Sequence, residues 1–234
     1  MRYVSRGACR AFLAVLGSIV LASVGLLSSP ALAAKTTTTT TAVACTICGH
    51  NLINNPGAEA GPGTQSDSVV PVPGWRLVQG SFTAASYAWG SGDLSATTPG
   101  PPHRGKNYFY GGPNAPVSVG SQTVPRAGAA VPISGGRVTA TLSGWLGGYE
   151  DQGDDAALTV SFQGTNDQVL TTLTIGPVTP AQRKSTTALL DRRATTFVPV
   201  GTTTAVLTLR FVRYSGDDND GMADNLSLVL TRGA

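Results

Sequence analysis

Beyond residue 51 the chain alternates apolar and polar residues with a period of two, and glycine, proline, asparagine and aspartate punctuate the alternation. The clearest case is 137–146, where Val138, Ala140 and Leu142 fall on one side and Thr139, Thr141 and Ser143 on the other. Segment 156–162 aligns Leu158, Val160 and Phe162, segment 205–211 aligns Ala205, Leu207, Leu209 and Phe211, and segment 225–230 aligns Leu226, Leu228 and Leu230. Less regular strands are expected at 74–79, 82–87, 107–110, 117–124, 169–175 and 186–198, the last bending near Asp191, Arg192 and Arg193. Helical periodicity is scarce. Ten short half-buried strands predict an all-β, two-sheet antiparallel β-sandwich, because each sheet needs the other to cover its apolar face. The Gly/Pro-rich stretches 88–106 and 111–116 read as loops on its edge or rim.

The N-terminal part follows another pattern. Arg2, Arg6 and Arg10 precede an apolar run, then Ser28, Ser29 and Pro30 and an Ala31-Leu32-Ala33 site, the layout of a secretory signal peptide over 1–33. No second apolar span follows, so no membrane insertion is expected after cleavage. Segment 34–50 is a Thr-rich leader that cannot bury apolar surface; it ends in Cys45 and Cys48. With Cys9 removed, this pair reads first as a small disulfide loop; free thiols, or a metal or redox site with His50, are the alternatives. The β-sandwich is expected over 51–234.

Charge changes the picture once. The formal +3 of the full chain disappears with the signal, which takes three arginines and leaves 13 basic and 13 acidic groups. A neutral exported chain has no basic field for a nucleic-acid partner or an anionic membrane. A secreted monomer is expected.

Two segments are more specific than the strands. Residues 51–59 read Asn-Leu-Ile-Asn-Asn-Pro-Gly-Ala-Glu, with Trp75 following, and residues 219–228 end in Ala-Asp-Asn-Leu-Ser-Leu. Together they resemble the opening and closing strands of galactose-binding-like jelly-roll domains, especially carbohydrate-binding modules of families 4, 9 and 22. The resemblance implies first and last strands side by side, tied by a structural calcium (Ca2+) held by Glu59 and Asp224, with Asn54 or Asn55 completing the shell. Calcium asks for six to eight oxygens, and the alternative is that both carboxylates accept N–H bonds in turns. The run 216–221 lacks the first and last ligands of an EF-hand loop and reads as a tight turn into the last strand.

The resemblance also implies a glycan ligand. A sugar offers an apolar C–H face and a rim of hydroxyls, so exposed rings beside polar groups are the candidates: Trp89, Tyr87, Tyr149 and Tyr214, with Arg213 and Asp155 as polar partners. Trp75 and Trp145 read as core. The acidic run 150–155 invites a glycosidase reading, but carboxylates in one loop seldom face a sugar from opposite sides, so a solvated hairpin loop is expected. Asn225-Leu226-Ser227 is a formal glycosylation sequon inside a core-forming strand. The leading reading is a secreted, non-catalytic glycan-binding protein; the alternatives are a structural or adhesive extracellular protein and, third, a hydrolase.

Overall fold

Alternating side chains can be buried on one face only if a second sheet covers that face, and the structure meets the condition with two five-stranded sheets. The computed structural model describes residues 45–125 and 133–233. The expected signal peptide and residues 34–44 of the leader lie outside the described residues. One sheet runs in the order β1 (Arg76–Gln79), β4 (Val117–Pro125), β9 (Thr204–Val212), β6 (Asp155–Gln163) and β7 (Val169–Ile175). The other runs β2 (Thr83–Ser86), β3 (Asn107–Pro113), β10 (Asp218–Arg232), β5 (Val138–Gly148) and β8 (Ala188–Phe197). Every pairing is antiparallel.

The facing sides make one core. Leu142 and Leu228 from one sheet and Leu158, Leu207 and Phe211 from the other are fully buried. An aromatic group closes one flank, with Trp75 edge-on to Phe109 at 5.3 Å and Phe82 lying 6.0 Å from Phe211. Gly120 is required there, since a Cβ on it would sit 2.4 Å from the Phe82 ring. The outer faces of several strands carry threonines that pair across strands, as Thr159 and Thr174 do at 2.8 Å.

Residues 49–56 lie beside the last strand. The Gly49 and Leu52 N–H groups donate to the Leu230 and Leu228 carbonyls, and the Leu226 N–H donates to Pro56, each at 2.9 Å. The Asn51 side chain completes the seam, accepting from the Leu228 N–H and donating to the Leu226 carbonyl. Cys45 and Cys48 form the expected disulfide, and Ile47 between them packs on the core. The boundary expected at residue 51 therefore falls inside a continuous structure.

Three strand expectations change. β8 does not bend at Asp191–Arg193: its register with β5 runs unbroken from Phe197 to Ala188. Residues 218–221 of the expected turn are instead the first part of β10, which pairs with β3 and β5. A bulge between Asp224 and Ser227, with Asn225 at φ 47°, breaks the alternation and hides this strand from a period-two reading. β3 runs on through Gly111 and Gly112 to Pro113, so only part of 111–116 is loop.

Phe109 is fully buried between the sheets, whereas Leu77 is 50% exposed on the edge strand β1. Phe109→Ala should cost about 3–5 kcal/mol in denaturant unfolding, and Leu77→Ala less than about 1 kcal/mol. Equal losses would contradict this placement of the core.

Candidate functional site

The outward side of the second sheet is unusually apolar. Ala85, Tyr108, Tyr110, Leu189 and Met222 form a second buried cluster, with Trp89, Trp145 and Tyr149 half-buried against it. Such a face cannot stay in water, and the chain covers it itself. The stretch 88–106, expected on the rim, lies across the sheet as a strap and drives Leu94 completely out of solvent. Trp145 is correspondingly not in the main core; it points outward from β5, opposite in sense to the buried Leu146.

Polar bonds staple the strap. The Leu189 N–H donates to the Pro99 carbonyl at 2.9 Å, and Asn225 Nδ2 donates to the His103 carbonyl at 2.9 Å. The Arg104 guanidinium lies 5.1 Å from the centre of the Tyr87 ring. The Tyr87 hydroxyl donates to Asp224 Oδ2 at 2.9 Å. Tyr87, expected to meet ligand, is thus buried with its hydroxyl bonded to Asp224.

The residues expected to share calcium are neighbours in part. A Cβ on Gly57 would lie 3.3 Å from Asp224 Oδ1 and 3.6 Å from Glu59 Cγ. Their oxygens have other work, however. Glu59 accepts the Lys106 and Asn107 N–H groups, and Asp224 accepts the Tyr87 hydroxyl and the Asn225 N–H. Asn55 donates to the Pro73 carbonyl and accepts the Ala60 N–H, while Asn54 lies against Gly74 on another side. The four do not fit a shared oxygen cage, and among the described residues no three His, Cys, Asp or Glu side chains group to hold a metal.

Where the strap leaves the sheet, a cleft of about 390 Å³ opens. Trp89 and Tyr110 supply its aromatic wall, edge-on to each other at 6.5 Å, and Asp67, Asp93, Asp218 and Gln65 line the remainder. Two successive turns place the indole, the Trp89 N–H donating to Ser86 and the Gly92 N–H donating to the Trp89 carbonyl. Gly92 lies flat on the ring, where a Cβ would come within 2.8 Å of it. A larger hollow of about 500 Å³ beside Asn54 and β4 has no comparable chemistry, because its Gln122 amide is spent on Asn54 and Gly74.

Carboxyls collect beneath the strap. Asp220 is buried and accepts the Tyr110 hydroxyl at 3.1 Å. Burial, then the charge of Asp93, pushes Asp220 up to about 8. Burial likewise raises Asp93 to about 6 and Asp224 to about 7.

The other candidates lie elsewhere. Asp155 projects from the outer face of the first sheet, raised to about 6 by burial against the pull of Arg210. Tyr214 is exposed, with its ring beside Gly153, and Arg213 donates to the Asp217 carbonyl in the same turn. Tyr149 has its phenol pushed up by a hydrogen bond to Glu150. None of these four lines the Trp89 cleft. The acidic loop is not simply solvated: Asp154 is fully buried and accepts the N–H groups of Tyr214, Ser215 and Asp220. Buried Arg183 clamps the same loop through the Glu150 and Gln152 carbonyls.

Asp93, Asp220 and Asp224 keep protons in the folded state at pH values where the unfolded chain has lost them. Their contribution to stability is therefore complete below about pH 4 and is lost as pH rises through about 6 to 8. The thermal midpoint should fall over that interval, and Asp220→Asn should flatten its upper part. A midpoint that climbs from acid to neutral pH would contradict the assignment.

No protein-family model matches the chain, and no curated protein matches its sequence. Solved structures do. A cyclase from Fischerella sp. TAU, in complex with 4-(1H-indol-3-yl)butan-2-one, is 14% identical with a TM-score of 0.51, over 78% of this chain and 97% of that one. A family 61 carbohydrate-binding module in complex with β-1,4-galactotriose is 16% identical with a TM-score of 0.42, over 78% and 99%. The enzymatically active domain of bacteriophage CBA120 tailspike protein 4 is 13% identical with a TM-score of 0.49; the match covers 77% of this chain and 21% of that one. At these identities the likeness concerns the fold. The chain is a two-sheet antiparallel β-sandwich, a fold it shares with the Fischerella cyclase.

Proposed function

We propose that this protein is an exported, non-catalytic carbohydrate-binding sandwich whose ligand stacks on Trp89. The observation that carries this reading is an open, polar-lined cleft walled by the half-buried Trp89 indole and Tyr110, while Trp75 is buried in the core. A pyranose ring needs such a pairing, an aromatic plane for its C–H face and carboxylate or amide oxygens for its hydroxyls. The fold hosts both binding modules and enzymes, so the reading rests on the cleft and not on the likeness. Export rests on the small-x-small site that ends at Ala33.

The carboxyls argue for binding without hydrolysis. Asp154 is consumed by three backbone N–H groups. Asp220 already accepts the Tyr110 hydroxyl beneath the strap.

A second reading, contact with another protein, is favoured by one feature: edge strand β1 leaves Leu77 and Val78 about half exposed beside an apolar groove that includes Val69 and Phe82. The two readings separate in affinity electrophoresis through polysaccharide-containing gels. Retardation should weaken at least about tenfold in Trp89→Ala while the thermal midpoint stays within a few degrees. Retardation that survives Trp89→Ala, or is lost only in Leu77→Ser, would refute the cleft.

A further inference from the structure

We propose that the hollow beside β4 is a slot for strand addition, and that its partner is an extended acidic segment of another protein. The inference is independent of the Trp89 cleft, with which this hollow shares no lining residue.

β4 is nine residues long, and β1 covers only part of its outer edge. Arg76 stands opposite Ser121, Leu77 opposite Gly120 and Gln79 opposite Val119, and there the pairing stops. Residues 122–125 are paired with β9 on their other side. Among the described residues, no strand meets them on the β1 side. A strand offers its donors and acceptors to both neighbours, so this stretch of about 13 Å carries backbone groups with no ladder to join. Elsewhere the chain covers such an edge itself. Thr64 bridges to Ala85 on β2, its N–H donating to the Ala84 carbonyl at 2.8 Å and its carbonyl accepting the Ser86 N–H at 2.9 Å.

The hollow of about 500 Å³ lies along the uncovered half of β4. Residues 121–124 form one wall, Leu52 and Asn54 another, and Gly74 and Arg76 close the end where β1 begins. Gln122 sets the width of the gap. Its Oε1 accepts the Asn54 N–H at 2.7 Å, and its Nε2 donates to the Asn54 and Gly74 carbonyls at 2.9 and 2.8 Å. A buried amide bonded at both ends is a fixed spacer, so the flanking segments are held apart from the strand edge.

The walls select the occupant. A sugar needs an open ring to stack on, and the one aromatic residue of this lining, Trp75, is buried with its indole N–H donating to the Asn55 carbonyl. An extended peptide needs alternating donors and acceptors, which a strand edge supplies. Arg76 is the one charged residue of the lining. It is exposed and makes no ion pair or hydrogen bond among the described residues. Its pairing with Ser121 puts it on the same side of the sheet as Thr123, two residues further along β4. A carboxylate on the added strand therefore meets an unopposed guanidinium, which can hold it by two parallel hydrogen bonds.

Calorimetry and NMR test this with three blocked hexapeptides: Thr-Glu-Val-Thr-Glu-Val, the same sequence with Lys in place of Glu, and the acidic sequence with every backbone nitrogen methylated. Glutamates three apart point to opposite faces of a strand, so one lies on the Arg76 side in either register. The acidic peptide should bind with a Kd below about 1 mM. The Thr123 and Val124 amide resonances should shift. The lysine peptide should bind about fivefold more weakly, and Arg76→Gln should cut that difference to about twofold or less. Methylation should weaken binding at least about tenfold, because it removes the donors of the ladder. Equal binding of the lysine peptide overturns the acidic partner. Equal binding of the methylated peptide, no binding of the acidic one, or shifts gathered at the Trp89 indole overturn strand addition. None of these results bears on retention by polysaccharide, so the cleft reading stands or falls separately.

Discussion

The hydrogen bond from the Tyr87 hydroxyl to Asp224 sits where two requirements meet. The outer face of the β2-β3-β10-β5-β8 sheet carries tyrosines, a methionine and a leucine that water will not tolerate, and the strap 88–106 has to lie over them. Tyr87 begins that strap, and Asp224 stands on the central strand of the sheet just before its bulge. Once the two are joined, Leu94 is buried and Trp89 is delivered to the border of the covered area. A face that could have been an open platform becomes a second core. At its margin the cleft beside Trp89 stays open.

The same closure accounts for the electrostatics. Covering the sheet strips water from Asp93, Asp220 and Asp224, so each holds its proton more tightly than an exposed carboxyl would. Carboxyls that would be solvated on an open sheet become pH-sensitive fastenings. Three N–H groups meet the fully buried side chain of Asp154, which ties the β5–β6 loop to the start of β10.

Most of the fold was legible because the strands with outward threonines keep strict alternation; β5, β6 and β9 lie within a few residues of their expected limits. Asp191, Arg192 and Arg193 suggested a bend in β8 through their charge, yet an edge strand accommodates charged side chains without losing register. The first half of β10 was obscured by its bulge and by outward aspartates that resemble turn residues. The strap was hidden for another reason: Gly/Pro-rich sequence shows irregular backbone, not what the backbone lies on. That error displaced Tyr87 and Trp145 together, because burying one outer face changes the surroundings of every residue on it. Trp89, expected to be exposed between Ala88 and Gly90, is half-buried against the second cluster and walls the cleft. Asp93, Asp218 and Gln65 carried no local signal, since chain segments distant in sequence bring them together.

The claim that the strap seals the sheet face and confines ligand to its margin can be read from the protein's three tryptophans. Indole N–H resonances of Trp75, Trp89 and Trp145, followed by NMR during titration with a bound oligosaccharide, report the core, the cleft and the covered face separately. The account predicts that the Trp89 signal moves while the other two stay in place. Movement of Trp145 with Trp89 unmoved would show that the ligand occupies the sheet face and would contradict it.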